Sequence, residues 1–269
     1  ISEMGDWLYT IAIYSLLLEL TGTARSVGVA VVLQILPQFF VSPTAGVVND
    51  RMSRKRVMIF ADLARAAIVL GMLAVSRAEM VWLVYLLLLL ETLMWAFFEP
   101  GRSAIVPNIT EGEDLVVANA LSSMTWSLNL AVGSALGGAV AAFFGREAVF
   151  VLNSLSFLLS AALLARMRFP EPHLAQAAPM QDLVDFSPMA EGIHYVRRDR
   201  RLLATLLVKT GLGLMATHWV LLPIFGERIF PVRTGGLEAR EGGMLGMSVL
   251  MGARGIGALL GPVLAGYWT

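Results

Sequence analysis

From Leu115 to Gly145 the chain runs without a single charged side chain, and Val27 to Val48 and Ala148 to Ala165 do the same. A hydrocarbon layer about 30 Å thick takes roughly 20 apolar residues of helix to cross. Inside that layer the backbone must satisfy its own hydrogen bonds, which leaves only helices or closed barrels. Apolar stretches this long and continuous select helices. Val81 to Phe98 adds a stretch interrupted only by Glu91, Leu202 to Gly226 one holding Lys209 and His218, and Gly242 to Thr269 one holding Arg254. Ile1 to Leu18, with Glu3 and Asp6, and Val57 to Val75, with Asp62 and Arg65, bring the candidate spans to eight. A soluble bundle would need polar residues every three or four positions, and Val81 to Leu90 has no such stripe.

Composition supports a membrane protein and removes several functions. Only 15% of residues are charged, against about 25% in soluble domains. Equal numbers of basic and acidic residues, 20 each, argue against a nucleic-acid partner, which would demand a basic excess. The absence of cysteine excludes disulfides, thiolate nucleophiles and sulfur-ligated metals. His173, His194 and His218 make no metal-binding spacing. With no Walker lysine loop or nucleophile elbow either, the expectation is a protein that is not an enzyme and needs no cofactor or metal.

Lys and Arg fall unevenly between the spans, eleven on one side and six on the other if the first helix starts inside. Cytoplasmic loops are the richer ones, so the expected topology is multi-pass in the cell (inner or plasma) membrane with a cytoplasmic N-terminus. Ile1 opens within a span without a preceding basic region, unlike a cleavable signal peptide. Both ends read as cut, which predicts a fragment of a longer protein. Met167 to Arg201 is polar and holds Pro170, Pro172, Pro179 and Pro188. Its part from Met189 to Arg198 reads either as an amphipathic surface helix, with Ile193 and Val196 toward lipid, or as a solvated charge run. The expected domains are a six-helix bundle over 1–166, a cytoplasmic linker over 167–201 and the start of a second bundle over 202–269.

The turn after the second span carries a specific pattern, Gly46-Val-Val-Asn-Asp50-Arg51-Met-Ser-Arg54-Lys55-Arg56. It resembles the loop 2-3 signature of the major facilitator superfamily, with Ser53 at the position of the usual second glycine. Gly133-Ser134-Ala135-Leu136-Gly137-Gly138 in the fifth span is similar to the antiporter motif of that superfamily, with serine in place of proline; plain small-residue packing explains it as well. Gly5-Asp6-Trp7-Leu8, Ala61-Asp62-Leu63-Ala64-Arg65-Ala66, Phe97-Phe98-Glu99-Pro100-Gly101-Arg102 and Tyr195-Val196-Arg197-Arg198-Asp199-Arg200 look like the branch of enterobactin-type siderophore exporters and macrolide exporters.

The resemblance implies an all-α membrane protein of the major facilitator fold, with this chain covering helices 1 to 8 of 12, a monomer when full length. It also implies that Gly46, Asp50, Arg51, Arg54 and Lys55 form a gating loop. Gly46 would let two helices approach closely, and Asp50 would latch onto a facing helix N-terminus or an Arg. Gly133, Gly137 and Gly138 would form a smooth packing face.

Charges within the spans add a second line of argument. An ionisable side chain at the bilayer centre costs at least about 2.5–3.5 kcal/mol on insertion scales, so each requires a partner or a function. Asp6 lies roughly 18 Å from the outer end of the first helix and Glu91 roughly 15 Å from that of the fourth, counting about 1.5 Å per residue, so both are candidates for proton coupling. Asp62 and Arg65, three residues apart near the cytoplasmic end, read as a structural ion pair. Trp95 and Phe98 share a helix face with Glu91, and Trp126 shares one with Asn129 and Gly133. With Arg254, about 18 Å into the eighth span, these aromatics are the candidate substrate residues. His218, near the outer end beside Trp219, reads as an interface anchor.

Taken together, the expected function is proton-coupled antiport of a bulky organic molecule such as a drug, macrolide or siderophore, conferring efflux or multidrug resistance by alternating access. The partners are the small-molecule substrate, protons and the lipid bilayer. The alternatives are a solute-importing facilitator or symporter of the same fold and a non-transporting membrane scaffold.

Overall fold

The computed structural model describes residues 1–110, 114–176, 187–214, 217–233 and 238–266. The expected linker therefore lies partly, at residues 177–186, outside the described residues, as do the last three residues of the expected third domain. Among the described residues ten α-helices follow one another: α1 (Ser2–Thr21), α2 (Ala24–Arg51), α3 (Arg54–Gly71), α4 (Val81–Ile109), α5 (Asp114–Phe144), α6 (Arg146–Arg166), α7 (Ser187–Arg198), α8 (Arg200–Leu214), α9 (His218–Arg228) and α10 (Ala239–Gly266). No strand occurs among the described residues. Six helical stretches, which include α2 to α6 and residues 239–261 of α10, are long and apolar enough to cross a membrane.

α1 is the axis of the assembly. Ile11, Ala12, Ile13 and Leu17 are completely buried, and the helix touches α2, α4, α5, α6, α9 and α10. A helix that is apolar on every side belongs inside a bundle. Since lipid tails are as apolar as leucine, such helices associate through close packing at small residues. Gly137 of α5 provides this contact, because a Cβ added there would lie 2.7 Å from Leu8 Cα on α1. Its neighbour Gly138 faces the other way, onto Ser248 and Met244 of α10. Around α1, α3 packs on α4 and α6, α2 on α4, and α10 on α5 and α9.

Chain reversals follow from backbone chemistry. α1 ends at Gly22 with φ 66°, and Gly145, with φ 85°, separates α5 from α6; both need the left-handed region that glycine enters freely. α4 continues through Pro100 and Pro107, beyond the stretch from Val81 to Phe98 that apolarity alone marks. The described residues of the apolar stretch 202–226, expected as one helix, lie in α8 and α9, the second containing Pro223. α7 forms a short helix over the stretch read as an amphipathic surface helix or a solvated charge run, with Ile193 exposed and Val196 half-buried.

The helices from α9 onward meet the first six mainly at the end away from residues 51–56. There Glu19 binds both Arg146, at 2.8 Å, and Arg240, at 3.1 Å. Arg228 donates to the carbonyl of Gly22 at 2.6 Å. The other end diverges, and Val116, Val117, Leu121 and Met124 of α5 are exposed.

Candidate functional site

Where α1, α3 and α4 converge, three charged side chains that are distant in sequence form a single centre. Arg65 on α3 is 1% exposed. Its Nη2 lies 2.6 Å from Asp6 Oδ2 and 2.7 Å from Glu91 Oε1, and its Nε donates to the same Glu91 oxygen at 2.8 Å. The guanidinium carbon sits 4.1 Å above the Phe157 ring of α6. Charge-assisted bonds of this length are the strong kind, and a buried cation requires them.

Asp6 and Glu91, the candidate carboxylates, are therefore brought together, and Arg65 joins them. The expected Asp62–Arg65 pair is present but long, at 3.8 Å; Arg65 turns away from its own helix neighbour toward α1 and α4. Asp6 Oδ1 is buried with no hydrogen-bond partner.

A cavity of about 320 Å³ opens above this centre. Its walls come from two helical stripes that period 3.6 makes legible: Glu3, Trp7, Thr10 and Tyr14 on α1, and Val31, Gln34, Ile35 and Gln38 on α2. Trp95, Trp126 and Trp219 complete it. Tyr14 donates to Gln34 Oε1 at 2.6 Å, which fixes α1 against α2. A second cavity of about 230 Å³, lined by Trp95, Phe98, Glu99 and Arg102, shares Glu3, Asp6 and Arg65 with the first.

The candidate substrate residues divide accordingly. Trp95 and Trp126 line the larger cavity, whereas Phe98 lines the smaller. Arg254 does not line the larger cavity; it stacks 3.6 Å over Trp219. Trp219 in turn stacks on Trp7 at 5.5 Å and 8°, and Trp7 meets Trp126 edge-on at 5.8 Å. Trp219 is thus part of an aromatic stack with Trp7 and Trp126. Asn129 of α5 donates to Glu3 Oε2 at 3.1 Å. Glu3, Trp7, Gln34 and Trp219 were not singled out as site residues by sequence; the α1 and α2 stripes were the available signal.

The loop after α2 gives Asp50 one of its two expected partners, an Arg. Asp50 pairs with Arg54 one turn on, at 3.2 Å, with its side chain 73% exposed. Arg54 also donates to the carbonyls of Asn49 and Ala104. Arg51 is partly buried at the end of α2. Lys55 donates to the carbonyls of Ala165 and Met167 at the end of α6, which satisfies groups a helix terminus leaves open. Ser53, at the position of the usual glycine, caps α3 by accepting from the Arg56 amide and donates to Glu171.

Gly46 does not bring two helices close: a Cβ there would meet nothing within 4 Å. The α2–α4 approach lies one turn further, where Asn49 donates to the Phe97 carbonyl at 2.9 Å and faces Gly101. Gly133 and Gly137 do face α1, and Gly138 faces α10.

A family model described as "Transmembrane secretion effector" matches residues 1–267. An uncharacterized MFS-type transporter, YfiS, of Bacillus subtilis (strain 168) is 28% identical over 210 residues, which are 77% of this chain and 49% of that protein. Macrolide efflux protein A of Streptococcus pyogenes is 29% identical over 212 residues, 78% of this chain and 52% of that protein. The chain thus spans about half the length of these curated relatives. A crystal structure of a mutant peptide transporter POT in complex with sulfate superposes with a TM-score of 0.57, at 14% identity, over 99% of this chain and 66% of that one.

Proposed function

Because the chain belongs to the transmembrane secretion effector family of major facilitator transporters, which are not enzymes, we propose that it serves as a secondary active exporter of a bulky organic molecule, driven by proton entry. The observation that carries this reading is Arg65 held between Asp6 and Glu91 beside the cavity. With both carboxylates ionised, Arg65 ties α1, α3 and α4 together. A proton on Asp6 Oδ1, the oxygen without a donor, weakens one side of that tie and lets the helices separate. Proton arrival and helix movement are then one event, as coupling requires: the ion must interact differently with the two states.

The cavity holds the substrate, with Trp95 and Trp126 against its apolar body and Phe98 below. The end carrying residues 51–56 faces the cytoplasm, and the membrane is the cell membrane. In this conformation the far end is closed by Glu19, Arg146 and Arg240, so loading takes place from the cytoplasmic side. On conversion, the far end opens and Asp50 leaves Arg54 to latch the cytoplasmic end. The transporter acts as a monomer.

Accumulation of a macrolide in cells expressing the full-length protein tests the reading. Accumulation is expected to fall relative to control cells and to recover when a protonophore is added. Asp6→Asn and Glu91→Gln should each abolish efflux at unchanged membrane abundance. Efflux that survives the protonophore, or both substitutions, overturns it.

A further inference from the structure

Among the described residues, more acids than cations line the larger cavity. Glu3, Asp6 and Glu91 line it against a single lining cation, Arg65. Arg65 is already committed: Asp6 and Glu91 bind its nitrogens, Phe157 covers its face, and it is 1% exposed. Nothing of that guanidinium is left for a ligand.

Glu3 is different. It forms no ion pair among the described residues and accepts one hydrogen bond, from the Asn129 amide. Two further cations stand nearby: Arg102 in the smaller cavity is bound at both ends of its fork by Glu99, at 2.6 and 2.8 Å, and Arg254 lies behind the lining, stacked on Trp219.

The walls point to the same sign of charge. Trp7, Trp95, Trp126 and Trp219 all line the cavity. Indole faces attract cations, and aromatic surroundings are a recurrent way to hold organic ammonium groups. The protein itself displays this contact at the same stack, where the guanidinium of Arg254 lies 3.6 Å over Trp219. An anion in this cavity would meet the carboxylate of Glu3, which no cation pairs among the described residues, beside the lining indoles of Trp95 and Trp126. A cation with an apolar body would meet a carboxylate that has no ionic partner and the aromatic surface its body requires.

We infer that this cavity selects organic cations: a positively charged group placed at Glu3, with an attached hydrophobic body against Trp7, Trp95 and Trp126. The inference rests on reading the cavity as the substrate site and adds the substrate's charge class.

Tetraphenylphosphonium and tetraphenylborate have nearly the same shape and opposite charge, so together they isolate the claim. Their binding to the purified full-length protein in detergent is read from quenching of tryptophan fluorescence, with empty micelles subtracted. The phosphonium is expected to bind at least tenfold more tightly than the borate. Glu3→Gln should weaken the phosphonium about tenfold without weakening the borate, and Glu3→Asp, which keeps the charge, should retain the preference. Equal binding of the two ions, tighter borate binding, or a full preference in a folded Glu3→Gln protein overturns the inference. Should Glu3→Gln not fold, the two-ion comparison on the unsubstituted protein decides alone. Protonophore-sensitive efflux without a phosphonium preference would sink this inference and leave the exporter reading standing; the reverse pattern would do the opposite.

Discussion

Replacing Arg65 with methionine keeps the volume of the side chain roughly constant and removes its charge. The guanidinium is 1% exposed and makes three contacts of 2.6 to 2.8 Å with two carboxylates. Deleting one partner of a buried ionic group costs about 3–5 kcal/mol, because the groups left behind stay desolvated and unpaired. Each kcal/mol moves the melting temperature by about 2–4 °C in a chain of this size, so the expected fall is roughly 6–20 °C. Circular dichroism of the detergent-solubilised protein measures it.

The companion experiment neutralises all three groups, Arg65→Met with Asp6→Asn and Glu91→Gln. A buried ionic group exchanged as a whole for neutral side chains is often tolerated, so the triple variant should recover most of the lost stability. It should still not transport. A single variant that melts within about 2 °C of the parent, on the same conversion, or a triple variant no more stable than the single, would refute the idea that these charges balance one another.

Gly138→Val should lower stability by about 1–3 kcal/mol, the usual penalty of overpacking, because its Cβ would meet Ser248 and the Met244 carbonyl; Gly46→Ala, with open space around it, should leave the melting temperature unchanged. Glu19→Gln removes both ion pairs at the closed end. Partly exposed pairs are each worth about 0.2–1 kcal/mol, so the open population at that end should rise several-fold, read as spin-label distances between the exposed positions 25 and 229 in this cysteine-free chain. Glu227, one residue past the apolar stretch 202–226, accepts from Ser15 at 3.5 Å at the same end, and burial pushes its carboxyl up to about 7. An acid held above its ordinary value of 4.5 favours the closed contact fully below that value and loses the contribution as pH rises through about 7. The same distances should therefore lengthen between pH 5 and 8, and Glu227→Gln should remove that dependence.

The helices were legible because lipid imposes a single rule, unbroken apolarity, and α5 and α6 follow it almost to the residue. The centre was legible only in halves. Asp6 and Glu91 stand out as acids in apolar stretches, but Arg65 sits three residues from Asp62, and local spacing suggests that pairing first. Its shorter bonds go to residues 59 and 26 positions away, and these depend on how α3 is rotated against α1 and α4. The Trp7–Trp219 stack eluded the sequence for the same reason, since it depends on how α9 sits against α1. Gly46 shows the converse: its place in a motif suggested close packing, while the actual approach fell to Asn49 and Gly101.

Proton movement across a sealed membrane is the most direct test of coupling through Asp6, Arg65 and Glu91. The full-length protein would be reconstituted into proteoliposomes holding a pH-sensitive dye, and transported substrate added on one side with no imposed gradient. Substrate flux should drive opposing proton flux, visible as a pH change in the lumen, and Asp6→Asn or Glu91→Gln should eliminate it. Substrate flux with no pH change in the unsubstituted protein would contradict the mechanism outright.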